Sequence, residues 1–108
     1  MLPSNIADVF EYLDRNGRSP FGLWFDGLNA HAAAKVSMAI TRIGHGNFSN
    51  VKSVGAGVHE CRVDFGPGYR VYFGKDGERL VILLGGGTKK EAAEGHRRRR
   101  QRVAGLQE

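Results

Sequence analysis

Two runs of alternating apolar and polar residues, Val58 to Phe65 and Tyr69 to Phe73, flank the rigid turn Gly66-Pro67-Gly68. Alternation at period two marks strands with one buried and one solvated face. In the first run His59, Cys61, Val63 and Phe65 share one face, and Glu60, Arg62 and Asp64 the other. In the second, Tyr69, Val71 and Phe73 face a core and leave Arg70 and Tyr72 together on the opposite side. A guanidinium beside a phenol on a stiff sheet suits phosphate binding and base stacking. Pairing Phe65 with Tyr69 sets Asp64 against Arg70 and Arg62 against Tyr72. The bland reading of Arg70 is then a cross-strand ion pair with Asp64, worth up to about 1 kcal/mol.

The flanking segments supply the rest of a small domain. Ser19-Pro20 opens a helix, Ser as N-cap and Pro at the first helical position. Phe21, Trp24, Phe25 and Leu28 follow as one apolar stripe. Asn29 caps a second helix through Ala33, Val36, Ile40 and Ile43 that stops at Gly44. The two form a helical hairpin whose apolar side covers a sheet. Residues 45–57 have loop composition, with a short extended piece at Val51 to Val54. Gly74-Lys75-Asp76-Gly77 is a second turn, and Leu80 to Leu84 is apolar on both faces, as in a central strand. Gly85-Gly86-Gly87 is expected to end it. Ile6, Val9, Phe10 and Leu13 fit a helix by period, while Val9 to Asp14 followed by Asn16-Gly17 also reads as an edge strand.

At 108 residues the chain has room for one domain, and its single cysteine excludes an internal disulfide. Asp8, Glu11 and Asp14 interrupt any signal-like start, and no apolar run approaches the roughly 20 residues of a membrane helix, so a cytoplasmic protein is expected. The net charge of +5 is uneven: residues 89–108 carry seven Lys/Arg against three Glu, and the body is nearly neutral. A high overall charge is therefore weak evidence that the body binds nucleic acid.

Four strings taken together resemble the RelE/ParE toxin superfamily: Gly46-Asn47-Phe48-Ser49-Asn50-Val51-Lys52, Val54 to Val63, Phe65 to Phe73, and Leu83-Leu84-Gly85-Gly86-Gly87-Thr88-Lys89-Lys90. The branch they resemble most is that of the phage-derived addiction-module killer proteins, which are HigB-like. The likeness covers roughly residues 9–90. It implies an α+β fold, β-α-α-β-β-β-α: a small twisted, mainly antiparallel sheet with a helical hairpin packed on one face. It turns the N-terminal ambiguity towards a strand. It also implies a bacterial type II toxin held by a cognate antitoxin and acting as an mRNA endonuclease on the ribosome, with operator DNA met only through the antitoxin complex. The alternatives are a ParE-like gyrase inhibitor without nuclease chemistry, or a non-catalytic partner in a complex repressing its operon.

The implied cleavage is attack of a 2′-OH on the adjacent phosphate, which needs a proton acceptor, a proton donor and cations to offset growing charge. No metal or other cofactor is expected. The resemblance puts Arg70 at the family's phosphate-contacting sheet arginine, with Arg62 beside it and Lys89 completing a catalytic set. Lys52, Tyr72 and Lys90 are the expected RNA-binding residues. Each has a plainer role: Lys52 and Lys75 as solvated charges, His59 as a satisfied inward histidine, Cys61 as core. His45 lies in a loop without an assigned role.

After Lys90 the likeness stops, so residues 1–90 form the expected toxin domain and 91–108 an atypical basic tail, disordered or a poor helix broken by Gly95. Relatives are expected to end in an Asp-Ile pattern and a helix closing on Trp and Tyr-Lys. Reading the codons of this tail one nucleotide forward from Glu91 permits Arg-Gln-Arg-Lys-Asp-Ile-Asp-Ala-Ala-Ala-Ser-Ala-Trp-Arg-Asp-Tyr-Lys. The expectation is a frameshift near Lys90 and a weakened or inactive toxin.

Overall fold

The structure is a computed structural model, and it describes residues 7–95. It is a mixed α+β fold in which β1 (Asp8–Glu11) is followed by α1 (Pro20–Asp26) and α2 (Ala30–Gly44). Four strands follow: β2 (Val51–Gly55), β3 (Val58–Val63), β4 (Tyr69–Asp76) and β5 (Leu80–Thr88). They make one sheet of order β1-β5-β4-β3-β2. β1 joins β5 in parallel, and the other pairs are antiparallel. The N-terminal segment is thus an edge strand, against its helical periodicity. Four strands follow the helices instead of three, because the extended piece at 51–55 pairs with β3, with an irregularity between Ser53 and Gly55.

Both helix caps form as expected. Ser19 Oγ accepts from Gly22 N–H at 2.8 Å, and Asn29 Oδ1 from Ala32 N–H at 2.9 Å. Ser19 also donates to Glu11 Oε1 at 2.5 Å, which ties the end of β1 to the start of α1. The buried stripe of α2 is Ala32, Val36, Ala39 and Ile43, with Ala33 and Ile40 half-buried beside it. α1 lies on β5 and α2 on β3. Between hairpin and sheet sit Phe21, Val36, Ile43, Val71, Phe73, Val81 and Leu83, the centre of the core.

Three sequence expectations are corrected. First, the β3–β4 connection spans 64–68, so Val63 pairs with Tyr69 and Arg62 with Arg70. The turn bonds internally: Phe65 N–H donates to Val63 O and Gly68 N–H to Phe65 O, with Gly66 and Gly68 at φ 58° and 83°. Phe65 therefore leaves the ladder, and the expected Asp64–Arg70 pair does not form. The slip is an even one, so every side chain keeps its face. Second, β4 runs on to Asp76, so Gly74 to Asp76 belong to strand and the turn is 77–79. Third, β5 continues through its three glycines to Thr88. A Cβ on Gly86 would lie 2.2 Å from Trp24 Cε3, so the glycine is what lets the α1 indole rest on the sheet.

At Thr88 the chain enters a helical segment, 89–95. Thr88 N–H donates to Glu91 Oε1 (3.0 Å) and Glu91 N–H to Thr88 Oγ1 (3.1 Å), a reciprocal capping box. The first residues of the expected tail, 91–95, are thus helical; its remainder, and with it most of the segment that the expected frameshift would alter, lies outside the described residues. Among the described residues no helix is long and apolar enough to cross a membrane.

Candidate functional site

The face of the sheet away from the hairpin carries two rows of residues. Register aligns Lys52 on β2, Glu60 on β3, Tyr72 on β4 and Gly85 on β5. The next row holds Arg62, Arg70 and Gly87. Core-facing Cys61, Val63, Tyr69, Val71 and Phe73 alternate with these residues and are buried. The sequence thus brings Arg62, Arg70, Lys52 and Tyr72 onto one surface, as expected.

The charges on that surface are not equivalent. Arg70 is only 8% exposed and Glu60 3%. Arg70 Nε lies 3.6 Å from Glu60 Oε1, and Arg70 Nη1 donates to Tyr69 O at 3.0 Å. Lys52 Nζ approaches the same carboxylate oxygen at 3.7 Å from the solvent side. Glu60, which the sequence reading left out of the site, is its hub. A diagonal neighbour across the strands takes the role expected of Asp64, because the longer turn moves Asp64 out to solvent. Alternation had already put Glu60 on the face of Arg62; only the register was needed to find it.

Arg62 is exposed. Lys89 follows the end of β5: its N–H donates to Gly68 O at 3.1 Å, and its side chain lies against Gly68 beside the 64–68 turn. Lys90 is exposed one residue further on, and among the described residues no contact joins it to the others. Tyr72 is half-buried and, with Val54, Val58, Leu84 and Ala92, lines a groove of about 620 Å³ whose floor includes Gly85. A Cβ on Gly85 would meet nothing within 4 Å, so the floor is open. An aromatic wall, an apolar floor and cations one row away could seat a base with its phosphate.

The remaining candidates sit elsewhere. His59 is half-buried and stacked on Phe73, with ring centroids 5.3 Å apart. His45 caps α2, its Nδ1 2.7 Å from Thr41 O. Lys75 lies over the Phe48 ring at 4.3 Å. Cys61 is buried, and burial pushes its thiol up against the opposing pull of Arg42, Arg62 and Arg70. Among the described residues no three His, Cys, Asp or Glu side chains converge as a metal site.

No family model matches the chain. A protein of Haemophilus influenzae, described as uncharacterized, is 47% identical to it over 65 residues, 59% of this chain. The matched segment spans 66% of that relative's own length.

Proposed function

We propose that the chain is a toxin component of a bacterial type II toxin–antitoxin pair, of the RelE/ParE superfamily and its HigB-like branch, built to cut mRNA on the ribosome. The observation that carries this reading is the Arg62–Arg70 pair, opposite one another on the hairpin-free face with the Glu60 carboxylate beside them. In this reading a strand of RNA lies across the two rows. A base stacks on Tyr72 over Gly85, and Arg62 meets the phosphate first. As the phosphate draws Arg70 off Glu60, the freed carboxylate accepts the 2′-OH proton. The 2′-oxygen bonds to phosphorus, and the P–O5′ bond breaks. Lys89, just past the end of β5, protonates the leaving oxygen, giving a 2′,3′-cyclic phosphate and a 5′-OH.

A second reading has its own support. Arg70 is closed off by Glu60 and by the Tyr69 carbonyl, so the catalytic cation is neutralised in the free chain. That favours a weakened nuclease, or a non-catalytic toxin that binds DNA gyrase or acts within an operator-bound antitoxin complex. Translation extracts programmed with a defined mRNA separate them. Codon-aligned cuts support the nuclease; intact mRNA with arrested supercoiling supports gyrase binding. Running the chain beside its frame-restored form tests whether the tail lowers activity. The cytoplasm is the compartment in which any of these targets is met.

A further inference from the structure

A second cationic site lies round the edge of the sheet, between α2 and β3. Lys35 and Arg42 stand two helical turns apart on α2, and with Arg62, Asn47, Ser49 and Asn50 they line a notch of about 220 Å³. Arg62 N–H donates to Asn50 O at 3.0 Å, which closes the notch where β2 begins. Lys35 Nζ is 5.8 Å from the centre of the Phe65 ring at its rim. Three cations face one carboxylate, Asp64, and among the described residues none of the three forms an ion pair.

The buried Cys61, which also lines the notch, feels positive charge from Arg42 on the helix and from Arg62 and Arg70 on the sheet. Like charges lining one notch repel one another, and side chains as long as these are free to swing apart into water. An anion in the notch removes that repulsion. Neutral donors are also at hand: Asn47 Oδ1 is occupied by Ser49 N–H and Ser49 Oγ (3.1 and 2.9 Å), which leaves the Asn47 NH₂ unused within that turn. The volume is below the roughly 300–1,000 Å³ of a pocket for a small organic ligand, and it suits a compact, multiply charged oxyanion. Guanidinium and amide donors around such a space match tetrahedral phosphate.

We infer that the notch between α2 and β3 is a phosphate-binding site, holding a phosphate of a nucleic-acid backbone or of a free oligophosphate. It does not rest on the nuclease reading. If that reading holds, Arg62 links the two sites, and a strand crossing the hairpin-free face has a second anchor over the sheet edge.

Pyrophosphate is the probe. Titrated into the full ¹⁵N-labelled chain, it is expected to shift the amides of Asn47, Ser49, Asn50 and Arg62 saturably. Arg42→Ala, and separately Lys35→Ala, should weaken that binding by about tenfold for a charge-assisted contact. Both positions are exposed, and an unchanged spectrum elsewhere confirms the fold. Arg15→Ala, far along the chain and outside the notch, should leave it unchanged. Shifts that never saturate, or an affinity indifferent to Arg42 and Lys35, overturn the proposal. A short single-stranded oligoribonucleotide then identifies the source. Competition with pyrophosphate assigns the site to a nucleic-acid backbone; pyrophosphate binding without competition assigns it to a free oligophosphate, whatever becomes of the nuclease reading.

Discussion

The Arg70 guanidinium lies 3.6 Å from the Glu60 carboxylate, and both side chains are almost wholly out of water. A buried pair of this kind contributes little net stability relative to an apolar pair, but removing one partner strands a charge. Glu60→Gln should therefore destabilise the chain by about 3 kcal/mol, near the lower end for such pairs because the contact is longer than a hydrogen bond. Lys52 touches the same oxygen but is 63% exposed, so Lys52→Ala should cost less than about 1 kcal/mol. Urea unfolding of the two variants checks the asymmetry. The double variant Glu60→Gln/Arg70→Met should recover most of the loss.

Trp24 rests on Gly86 with no room for a methyl group between them. Gly86→Ala should cost about 1–3 kcal/mol by overpacking. Gly85→Ala, one residue away but over open space, should be neutral or stabilising by about 0.5–1 kcal/mol, because glycine is a poor strand residue. Thermal unfolding distinguishes the two. Adding Trp24→Ala to the Gly86→Ala variant should cost less than Trp24→Ala alone.

Cys61 gives the fold a dependence on alkaline pH. Burial holds its thiol above the ordinary value of 9.0. The folded chain then keeps the proton at pH values where the unfolded chain has lost it. The stabilisation is complete below about pH 9 and is lost as pH rises towards the folded-state value. The stability difference between the native chain and Cys61→Ala should therefore be constant from neutral pH to about 9 and shrink above it. Chemical denaturation across that range reads it.

Much of this arrangement was legible in the sequence, for physical reasons that differ by residue. Alternation at period two fixed which face each β3 and β4 side chain takes, because a pleated strand allows only two. Ser19 and Asn29 marked both helix starts, because a side-chain oxygen there satisfies a backbone N–H that has no other partner. Register was not legible: it depends on how the 64–68 turn bonds to itself, and that hid the pairing of Glu60 with Arg70. Gly85-Gly86-Gly87 read as an end to the strand because propensity is local, whereas Gly86 is set by an indole sixty-two positions earlier in the chain. The Thr88–Glu91 capping box had its signal in plain view, at the spacing such boxes require. The notch between α2 and β3 joins residues from three segments, so no run of sequence announces it.

The most direct test of the account follows a defined mRNA in a translation extract, with the frame-restored chain compared with its Arg62→Ala and Arg70→Ala variants. The proposed site predicts cuts in codon register, reduced by roughly 10²-fold or more in each variant, as for the loss of a cation that stabilises transition-state charge. Cleavage that persists undiminished in both variants, or mRNA left intact by the frame-restored chain itself, contradicts it.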